Sequence, residues 1–306
     1  QISVNAGSSW SDDNHATADG TAVSIGGVTL GAGTSSIKFR IADAADNTGA
    51  VSTTAYTLDT TAPTLSTVTI ASNNAVTTLT KDGDTITLTI GSSEDIQAPT
   101  CAVSINGNAA TNTETISGSA SSYTCTLVTH DSDADGAVTF SIGFTDVGGT
   151  AGVAVTAVTS GSGVTHDDTV PTLSAVVEAV SGSGNGNNGD SVTLTITPSE
   201  TIGTPTCTFA SGGAAMANTV TYSTSGSDHI CTVAVADADT DGAVTFTANF
   251  ADSAGNSGTE VTAASSGAVT IDNTHPTLSP VSIASNNAVT TVTKDGNTIT
   301  LSFTVS

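Results

Sequence analysis

Short runs in which apolar and polar residues alternate occur along most of the chain. Apolar side chains occupy every second position of residues 138–144, and the same pattern returns in residues 244–250. Gly, Asn, Asp and Ser separate such runs, as they do where antiparallel strands are joined by turns. Because successive side chains of a strand point to opposite faces, each run has one face suited to a core. The pattern therefore predicts an all-β chain whose strands pack as sandwiches.

One hairpin sequence is repeated along the chain. Residues 70–88 read IASNNAVTTLTKDGDTITL, and residues 283–301 repeat them with changes only from Leu79 to Val292 and from Asp84 to Asn297. A more diverged copy lies between the two, in residues 187–200. Repetition of this kind predicts tandem copies of one structural unit.

Three junction sequences separate the repeats. They read DTTAP, DDTVP and DNTHP, and they end at Pro63, Pro171 and Pro276. Proline fixes φ and removes an amide donor, so it suits the first residues of an edge strand that follows a linker. Domain boundaries are therefore expected at these junctions.

The junctions divide the chain into four predicted segments. About seven strands in roughly 105 residues is the size of an immunoglobulin-like sandwich, so one complete unit fits between consecutive junctions. The segments are the late strands of a diverged, partial immunoglobulin-like domain (1–58), two complete domains (59–166 and 167–271) and the first strands of a further partial domain (272–306).

The two partial segments need other strands to complete them. Residues 37–43 align with the late strand that ends at Asp146, whereas residues 272–306 hold only early strands. Two strands alone are rarely stable in water. Either the chain belongs to a longer repetitive polypeptide, or the early strands of one copy complete the late strands of the next, head to tail. Both alternatives predict an extended polymer.

Four cysteines occupy equivalent positions in the two complete repeats. Four cysteines allow three pairings, and their equivalent placement favours one bridge within each repeat over free thiols. Disulfides imply oxidising surroundings. The predicted pairs are Cys101 with Cys125 and Cys207 with Cys231.

The composition excludes several classes of partner. Charged residues make up 10% of the chain, and its formal net charge is -24. Nucleic acid and anionic lipid are excluded as partners because both need clustered Lys and Arg. No apolar stretch approaches the roughly 20 residues of a membrane-spanning helix, so direct membrane insertion is not expected. An acidic surface attracts cations, which makes a divalent ion the first cofactor to consider.

Three segments resemble a known family. They are the junction DTTAPT, the strand TITLTIGSSE that ends at Glu94, and FADSAGNSGT that ends at Thr259. The chain resembles the bacterial-type immunoglobulin-like repeats found in tandem in large secreted adhesins and surface proteins. The resemblance implies an extracellular or cell-surface location and a role as a stalk, spacer or assembly unit. The paired cysteines and FTDVGGTAG at residues 144–152, which lacks the usual Gly-Asn, depart from the family pattern.

Two acidic loops are candidate calcium sites. Residues 131–136 and 237–242 carry the spacing D-x-D-x-D-G, in which alternate carboxylates can converge on one cation. The twelfth position is Ile142 or Ala248 rather than Glu, which excludes an EF-hand. A calcium site with additional ligands and an acidic turn without a metal are the alternatives. The candidate ligands are Asp131, Asp133, Asp135, Asp237, Asp239 and Asp241.

The domain junctions are a second place where a cation could bind. The cation would be bound by a carboxylate at a strand end, an aspartate from a later loop and carboxylates of the linker. Calcium would stiffen the link, whereas the alternative is a set of ordinary solvated carboxylates. The residues are Glu94 or Glu200, Asp146 or Asp252, and linker aspartates such as Asp167 and Asp168.

Catalysis is not expected. The five histidines lack zinc-site spacing, and we expect them at surface or turn positions. No nucleophile elbow, Walker loop or dinucleotide fingerprint occurs. The sequence thus predicts an extracellular structural protein that forms a stalk, filament or surface layer from copies of itself. The alternative is an adhesin that binds glycan or a protein partner, for which Trp10 is the aromatic residue that could stack on a sugar.

Overall fold

The computed structural model describes most of the chain. The described residues are 1–3, 16–19, 22–25, 36–42, 45, 47–55, 58–182 and 184–305. Trp10 lies outside them, and so does Asp43 at the end of the predicted late strand. All regular elements within these ranges are β-strands, as the alternating pattern predicted. The chain divides into two compact units, residues 1–168 and 169–306.

The described residues of the first unit form fourteen strands. Five precede the first complete sandwich: β1 (Ile2–Ser3), β2 (Ala16–Asp19), β3 (Ala22–Ile25), β4 (Ser36–Phe39) and β5 (Ser52–Ala55). Nine build that sandwich: β6 (Leu65–Ser72), β7 (Leu79–Thr80), β8 (Thr85–Ser92), β9 (Thr100–Ile105), β10 (Asn108–Ala109), β11 (Thr115–Ser119), β12 (Ser122–Val128), β13 (Gly136–Gly143) and β14 (Thr165–His166).

Ten strands form within the described part of the second unit. Eight build its sandwich: β15 (Leu173–Val180), β16 (Ser191–Pro198), β17 (Thr206–Ser211), β18 (Ala214–Ala215), β19 (Thr221–Ser225), β20 (Asp228–Ala234), β21 (Gly242–Asn249) and β22 (Thr270–Ile271). Two form a final hairpin: β23 (Leu278–Ser285) and β24 (Ile299–Val305).

The strand order of the first sandwich is that of an immunoglobulin domain. One sheet has the order β11-β12-β8-β6, and the other has the order β10-β9-β13-β14-β7. In immunoglobulin lettering these are the D-E-B-A sheet and a C-F-G sheet with two extra short strands, β10 beside C and β7 beside G. The short strand β7 runs parallel to β14, and the other pairs are antiparallel. The predicted fold class is confirmed.

The core of the first sandwich follows from the alternation along each strand. In the central strand β8, Ile86, Leu88 and Ile90 are at most 1% exposed, while the threonines between them face outward. These side chains meet Val103 and Phe140 of the opposite sheet in one apolar cluster. Burying an aliphatic side chain of this size contributes roughly 1.5–3 kcal/mol, so this layer is the main source of stability.

The second sandwich repeats the arrangement. Its sheets have the orders β15-β16-β20-β19 and β18-β17-β21-β22. Val192, Leu194 and Ile196 of β16 are fully buried at the positions that Ile86, Leu88 and Ile90 hold in the first sandwich. The same local pattern therefore builds the same core twice.

One disulfide joins the two sheets of each sandwich. Cys101 of β9 is bonded to Cys125 of β12, and Cys207 of β17 to Cys231 of β20, as predicted from the sequence. In immunoglobulin lettering these bridges connect strands C and E, whereas antibody domains connect strands B and F. Each bridge therefore ties the middle of one sheet directly to the other across the core.

A buried carboxyl group distinguishes the second core. Glu178 of β15 is opposite Leu194, just as Ile70 of β6 is opposite Leu88, and Glu178 is only 6% exposed. Burial raises the pKa of Glu178, and a hydrogen bond from the Val269 backbone offsets part of the rise. The second sandwich thus carries an acid where the first carries an aliphatic side chain.

The final hairpin exposes a face that is buried in its repeat. Strands β23 and β24 pair only with each other among the described residues. Ile283 is 70% exposed and Leu301 is 57% exposed, whereas their equivalents Ile70 and Leu88 are 8% and 0% exposed. Among the described residues, the hairpin therefore lacks the opposing sheet that covers its equivalent in the first sandwich.

We predict that removing one disulfide destabilises only its own sandwich. The bridge closes a loop with a sequence separation of 24, so its loss in Cys101→Ala/Cys125→Ala should lower the free energy of unfolding by about 3 kcal/mol. Urea unfolding measures the change. The matched variant Cys207→Ala/Cys231→Ala should leave the stability of the first sandwich unchanged. If either variant destabilised both sandwiches, the prediction that each disulfide stabilises only its own sandwich would be wrong.

We predict that Glu178→Gln makes the second sandwich less sensitive to pH. A raised pKa means that the folded state holds this proton more tightly than the unfolded chain does, so stability falls as pH rises through the raised value. The variant should be more stable than the parent at pH 7 and unchanged near pH 4, about the ordinary value for Glu. Urea unfolding across this range tests it, with the exposed Glu260→Gln as control. The prediction would be contradicted if the free energy of unfolding changed with pH equally in the parent and in Glu178→Gln.

Candidate cation site

The middle aspartate of each acidic loop braces the backbone. The Asp133 carboxylate accepts hydrogen bonds from the Thr111 N–H at 2.8 Å and the His130 N–H at 3.0 Å. In the second sandwich, Asp239 accepts them from Ala217 at 2.7 Å and Ala236 at 2.8 Å. Both aspartates are buried, so these bonds satisfy amide donors that would otherwise lack a partner.

Electrostatics agree with this bracing role. Burial by itself would raise the pKa of Asp133, but the hydrogen bonds from Thr111 and His130, with the nearby His166, lower it below its ordinary value. Hydrogen bonds to a carboxylate favour its charged form. Asp133 is therefore held as an anion by donors of the protein itself.

The last aspartate of each loop holds the chain that follows the sandwich. Asp135 accepts a hydrogen bond from the Asp168 N–H at 2.7 Å. Asp241 accepts one from the Asn273 N–H at 2.6 Å and one from the Thr274 hydroxyl at 2.5 Å. These bonds lower the pKa of Asp241.

The first aspartate of each loop does not join its partners at a common point. Asp131 lies beside His130, with 2.7 Å between a carboxylate oxygen and Nδ1, and its side chain is 75% exposed. Asp237 is exposed as well. Within the described residues, the loop aspartates are not among the clusters of carboxylates that could share an ion. Calcium binding by these two loops stays a prediction.

One histidine departs from the expected surface position. His166, in β14, is fully buried, and its Nε2 lies 3.0 Å from a carboxylate oxygen of Asp168. The expectation was wrong here because β14 lies between β13 and β7, where every second side chain points into the core. Asp168 is therefore engaged inside the first unit, where it also accepts the Asp82 N–H at 2.5 Å.

Three carboxylates of the first unit do converge. Oxygens of Asp59, Glu94 and Asp146 all lie within 4.8 Å of one another. Asp59 belongs to the junction sequence, Glu94 follows β8, and Asp146 follows β13. The sequence predicted Glu94 and Asp146 together with a linker carboxylate, and named Asp167 and Asp168 as linker candidates. Asp59 was missed, although its place in DTTAP matches that of Asp167 in DDTVP.

Asp146 leaves one oxygen available to a ligand. This residue is 1% exposed, and its Oδ1 accepts a hydrogen bond from the Thr150 N–H at 2.7 Å in a tight turn. Its Oδ2 is buried without a hydrogen-bond partner. A buried carboxylate oxygen without a donor is unfavourable, so a cation at this point would stabilise it.

The charges of the cluster repel one another. Burial is the largest cause of a raised pKa of Glu94, and the negative charges of Asp59 and Asp146 raise this pKa further. Asp59 is held in place by the Thr61 N–H, which donates to its Oδ1 at 2.9 Å. A bound cation would reverse this repulsion.

The ligand chemistry suits a hard cation. Calcium takes six to eight oxygen ligands at about 2.4 Å, so two of its ligands lie at most about 4.8 Å apart. The cluster consists of carboxylates only, without the thiolates or imidazoles that softer metals prefer. It can therefore supply three oxygen ligands to calcium, and water or backbone carbonyls would complete the shell.

No family model and no curated protein sequence matches the chain. Among solved structures, an I-band fragment of titin, I67–I69, has a TM-score of 0.40 at 8% identity, covering 75% of this chain and 81% of its own. Titin Z1Z2 in complex with telethonin has a TM-score of 0.25 at 18% identity, covering 71% and 98%.

The ectodomain of mouse nectin-like molecule 4 has a TM-score of 0.28 at 13% identity, covering 66% of this chain and 64% of its own. These scores carry no argument about function. Within the described residues, no helix of the length and apolarity needed to cross a bilayer occurs. The strand order and the buried alternating side chains assign each complete unit to the immunoglobulin-like sandwiches.

Proposed function

We propose that this protein is an extracellular structural repeat protein, in which tandem immunoglobulin-like units form a stalk, filament or surface layer. The repeats are of the type that large secreted bacterial surface proteins carry. The single observation that carries the proposal is the exposed apolar face of the final hairpin. Its repeat sequence is nearly identical to a hairpin whose face is entirely covered in the first sandwich.

The exposed face has a defined complement. In the first sandwich, the side chains equivalent to this face pack in one cluster with residues of β9, β12 and β13. On β24, Ile299, Leu301 and Phe303 are 51–57% exposed. Burial of each of these side chains under an opposing sheet would stabilise the covered hairpin by roughly 1.5–3 kcal/mol. Strands like β9, β12 and β13, from a further repeat or from a neighbouring copy, fit this face.

The disulfides and the charge support an extracellular array. Bridges that join the two sheets of each sandwich persist in oxidising surroundings. The net charge of -24 keeps long assemblies soluble and disfavours contact with anionic surfaces. Both features suit units that are repeated outside the cell.

Electron microscopy of native material tests the proposed array. We expect filaments, stalks or a layer with a regular repeat, and denaturing electrophoresis then separates the two sources of covering strands. One very large polypeptide indicates a continuous repeat array, whereas a short chain that leaves regular filaments on denaturation indicates neighbouring copies. Isolated globular particles without any repeat would refute the proposal.

We predict that charges on the apolar face of β24 prevent its coverage. Leu301→Asp/Phe303→Asp should abolish assembly or the folding of the following unit, because two buried charges each cost several kcal/mol. The matched control Thr300→Asp/Ser302→Asp places the same charges on the opposite face of the strand and should leave assembly intact. Sedimentation velocity of all three proteins measures the difference, and equal behaviour of both variants would argue against coverage of this face.

The proposal includes calcium at the cluster of Asp59, Glu94 and Asp146. The ion would join the junction segment, through Asp59, to the ends of strands β8 and β13. The free carboxylate oxygen of Asp146 and the all-oxygen donor set support this assignment. A junction tied in this way is stiffer, which suits a stalk or filament.

We predict that calcium stabilises the first sandwich through Asp146. At about 100 times its dissociation constant the ion should add roughly 2.7 kcal/mol to the free energy of unfolding. Asp146→Asn keeps an oxygen that can accept the Thr150 N–H but removes the charge, so it should lose most of this gain. Amide NMR signals of residues 146–150, followed with calcium and with chelator, locate the effect.

The control for calcium binding is Asp131→Asn, which removes one exposed charge from the acidic loop. It should bind calcium as the parent does. Loss of binding in Asp131→Asn together with retention in Asp146→Asn would assign the ion to the loop instead. Unchanged signals at residues 146–150 on addition of calcium would refute the site.

A further inference from the structure

The two sandwiches differ at one position near the open edge of the core. Tyr123 of β12 and His229 of β20 each lie two residues before the bridged cysteine of their strand. Tyr123 is 7% exposed, and its hydroxyl donates a hydrogen bond to the Ile96 carbonyl at 3.0 Å. The tyrosine therefore closes the space between the sheets at this edge of the first sandwich.

The shorter histidine leaves this space open in the second sandwich. His229 is only half-buried, and a cavity of about 260 Å³ lies beside it. A second cavity of about 460 Å³, lined in part by Ser199 and Glu200, also borders His229. A groove therefore lies beside the histidine of the second sandwich, at the position that the buried Tyr123 occupies in the first.

An exposed aromatic ring lines the groove. Tyr222 of β19 is opposite Cys231, and Thr224 is opposite His229, so these side chains share the face of the sheet that points toward the groove. Tyr222 is 45% exposed, although its equivalent in the first sandwich, Ile116, packs against the core. An exposed tyrosine at the mouth of a cavity offers both an apolar face and a hydroxyl group.

The lining alternates between apolar and hydroxyl-bearing groups. Tyr222 and Pro205 supply apolar surface. Thr204 and Thr224 supply hydroxyl groups. A pyranose ring matches this arrangement, because its C–H face packs on an aromatic ring while its hydroxyl groups exchange hydrogen bonds at the edges. No Lys or Arg lines either cavity, and Glu200 adds a negative charge, so an anionic ligand is disfavoured.

We propose that this groove of the second sandwich binds a neutral sugar unit of a glycan, with Tyr222 as the stacking platform. The volume beside Tyr222 is slightly below the 300–1,000 Å³ typical of pockets for drug-sized ligands, which fits one sugar ring. The second cavity beside His229 would accept the next sugar unit. This activity is separate from array formation, since it depends on neither the final hairpin nor the carboxylate cluster.

The test is an NMR titration of the full chain with neutral methyl glycosides of glucose, galactose, mannose and N-acetylglucosamine. At least one should shift the amide signals of residues 222–224 and 229 with a dissociation constant of about 1 mM, the range for a ligand with few atoms. Tyr222→Ala should weaken binding about tenfold, as expected for loss of one aromatic contact. The variant Thr221→Ala, on the opposite face of β19, should bind as the parent does.

The variant His229→Tyr separates loss of binding from loss of folding. Copying Tyr123 into this position should close the groove and abolish binding while circular dichroism and thermal unfolding show a folded, equally or more stable sandwich. The proposal is overturned if none of the glycosides shifts these signals at up to about 50 mM, well above the expected dissociation constant. It is also overturned if Tyr222→Ala and His229→Tyr both bind the sugars as the parent does. Binding of methyl glucuronate as tight as that of the neutral glycosides would overturn it too, and so would binding of N-acetylphenylalanine amide without binding of the sugars.

Discussion

Burial of aliphatic side chains between two sheets is the interaction on which the whole structure depends. Ile86, Leu88 and Ile90 contribute nothing to the surface of the first sandwich, and the equivalent residues of the second are equally buried. Few aromatic residues are available, so these β-branched and leucine side chains fill both cores. Where the same hairpin lacks an opposing sheet, the same face is exposed.

The polar parts of each sandwich hold the ends of these buried strands. Disulfides between strands C and E lock the two sheets together, which compensates for cores of modest side chains. In the acidic loops, Asp133 and Asp239 brace the backbone, because each accepts two amide hydrogen bonds. Three carboxylates of the first unit converge where the junction meets the strand ends.

Substitutions at equivalent positions make the two sandwiches structurally different. The change from Ile70 to Glu178 introduces a buried acid into the second core, and the change from Tyr123 to His229 opens its edge. Neither change alters the strand order. A repeated scaffold can therefore carry different side chains at the edge of each core, since side chains at the margin of a core affect the surface more than the fold.

Sequence alone determined the strands, the repeats and the pairing of the four cysteines, because these depend on alternation and on equivalent spacing within one repeat. It also indicated that Glu94 and Asp146 belong together. Only the tertiary structure brought Asp59 to them, buried His166 and opened the groove at His229. Those outcomes depend on which strands become neighbours and how closely their side chains fill the space between two sheets, and such distances are not encoded in any local pattern.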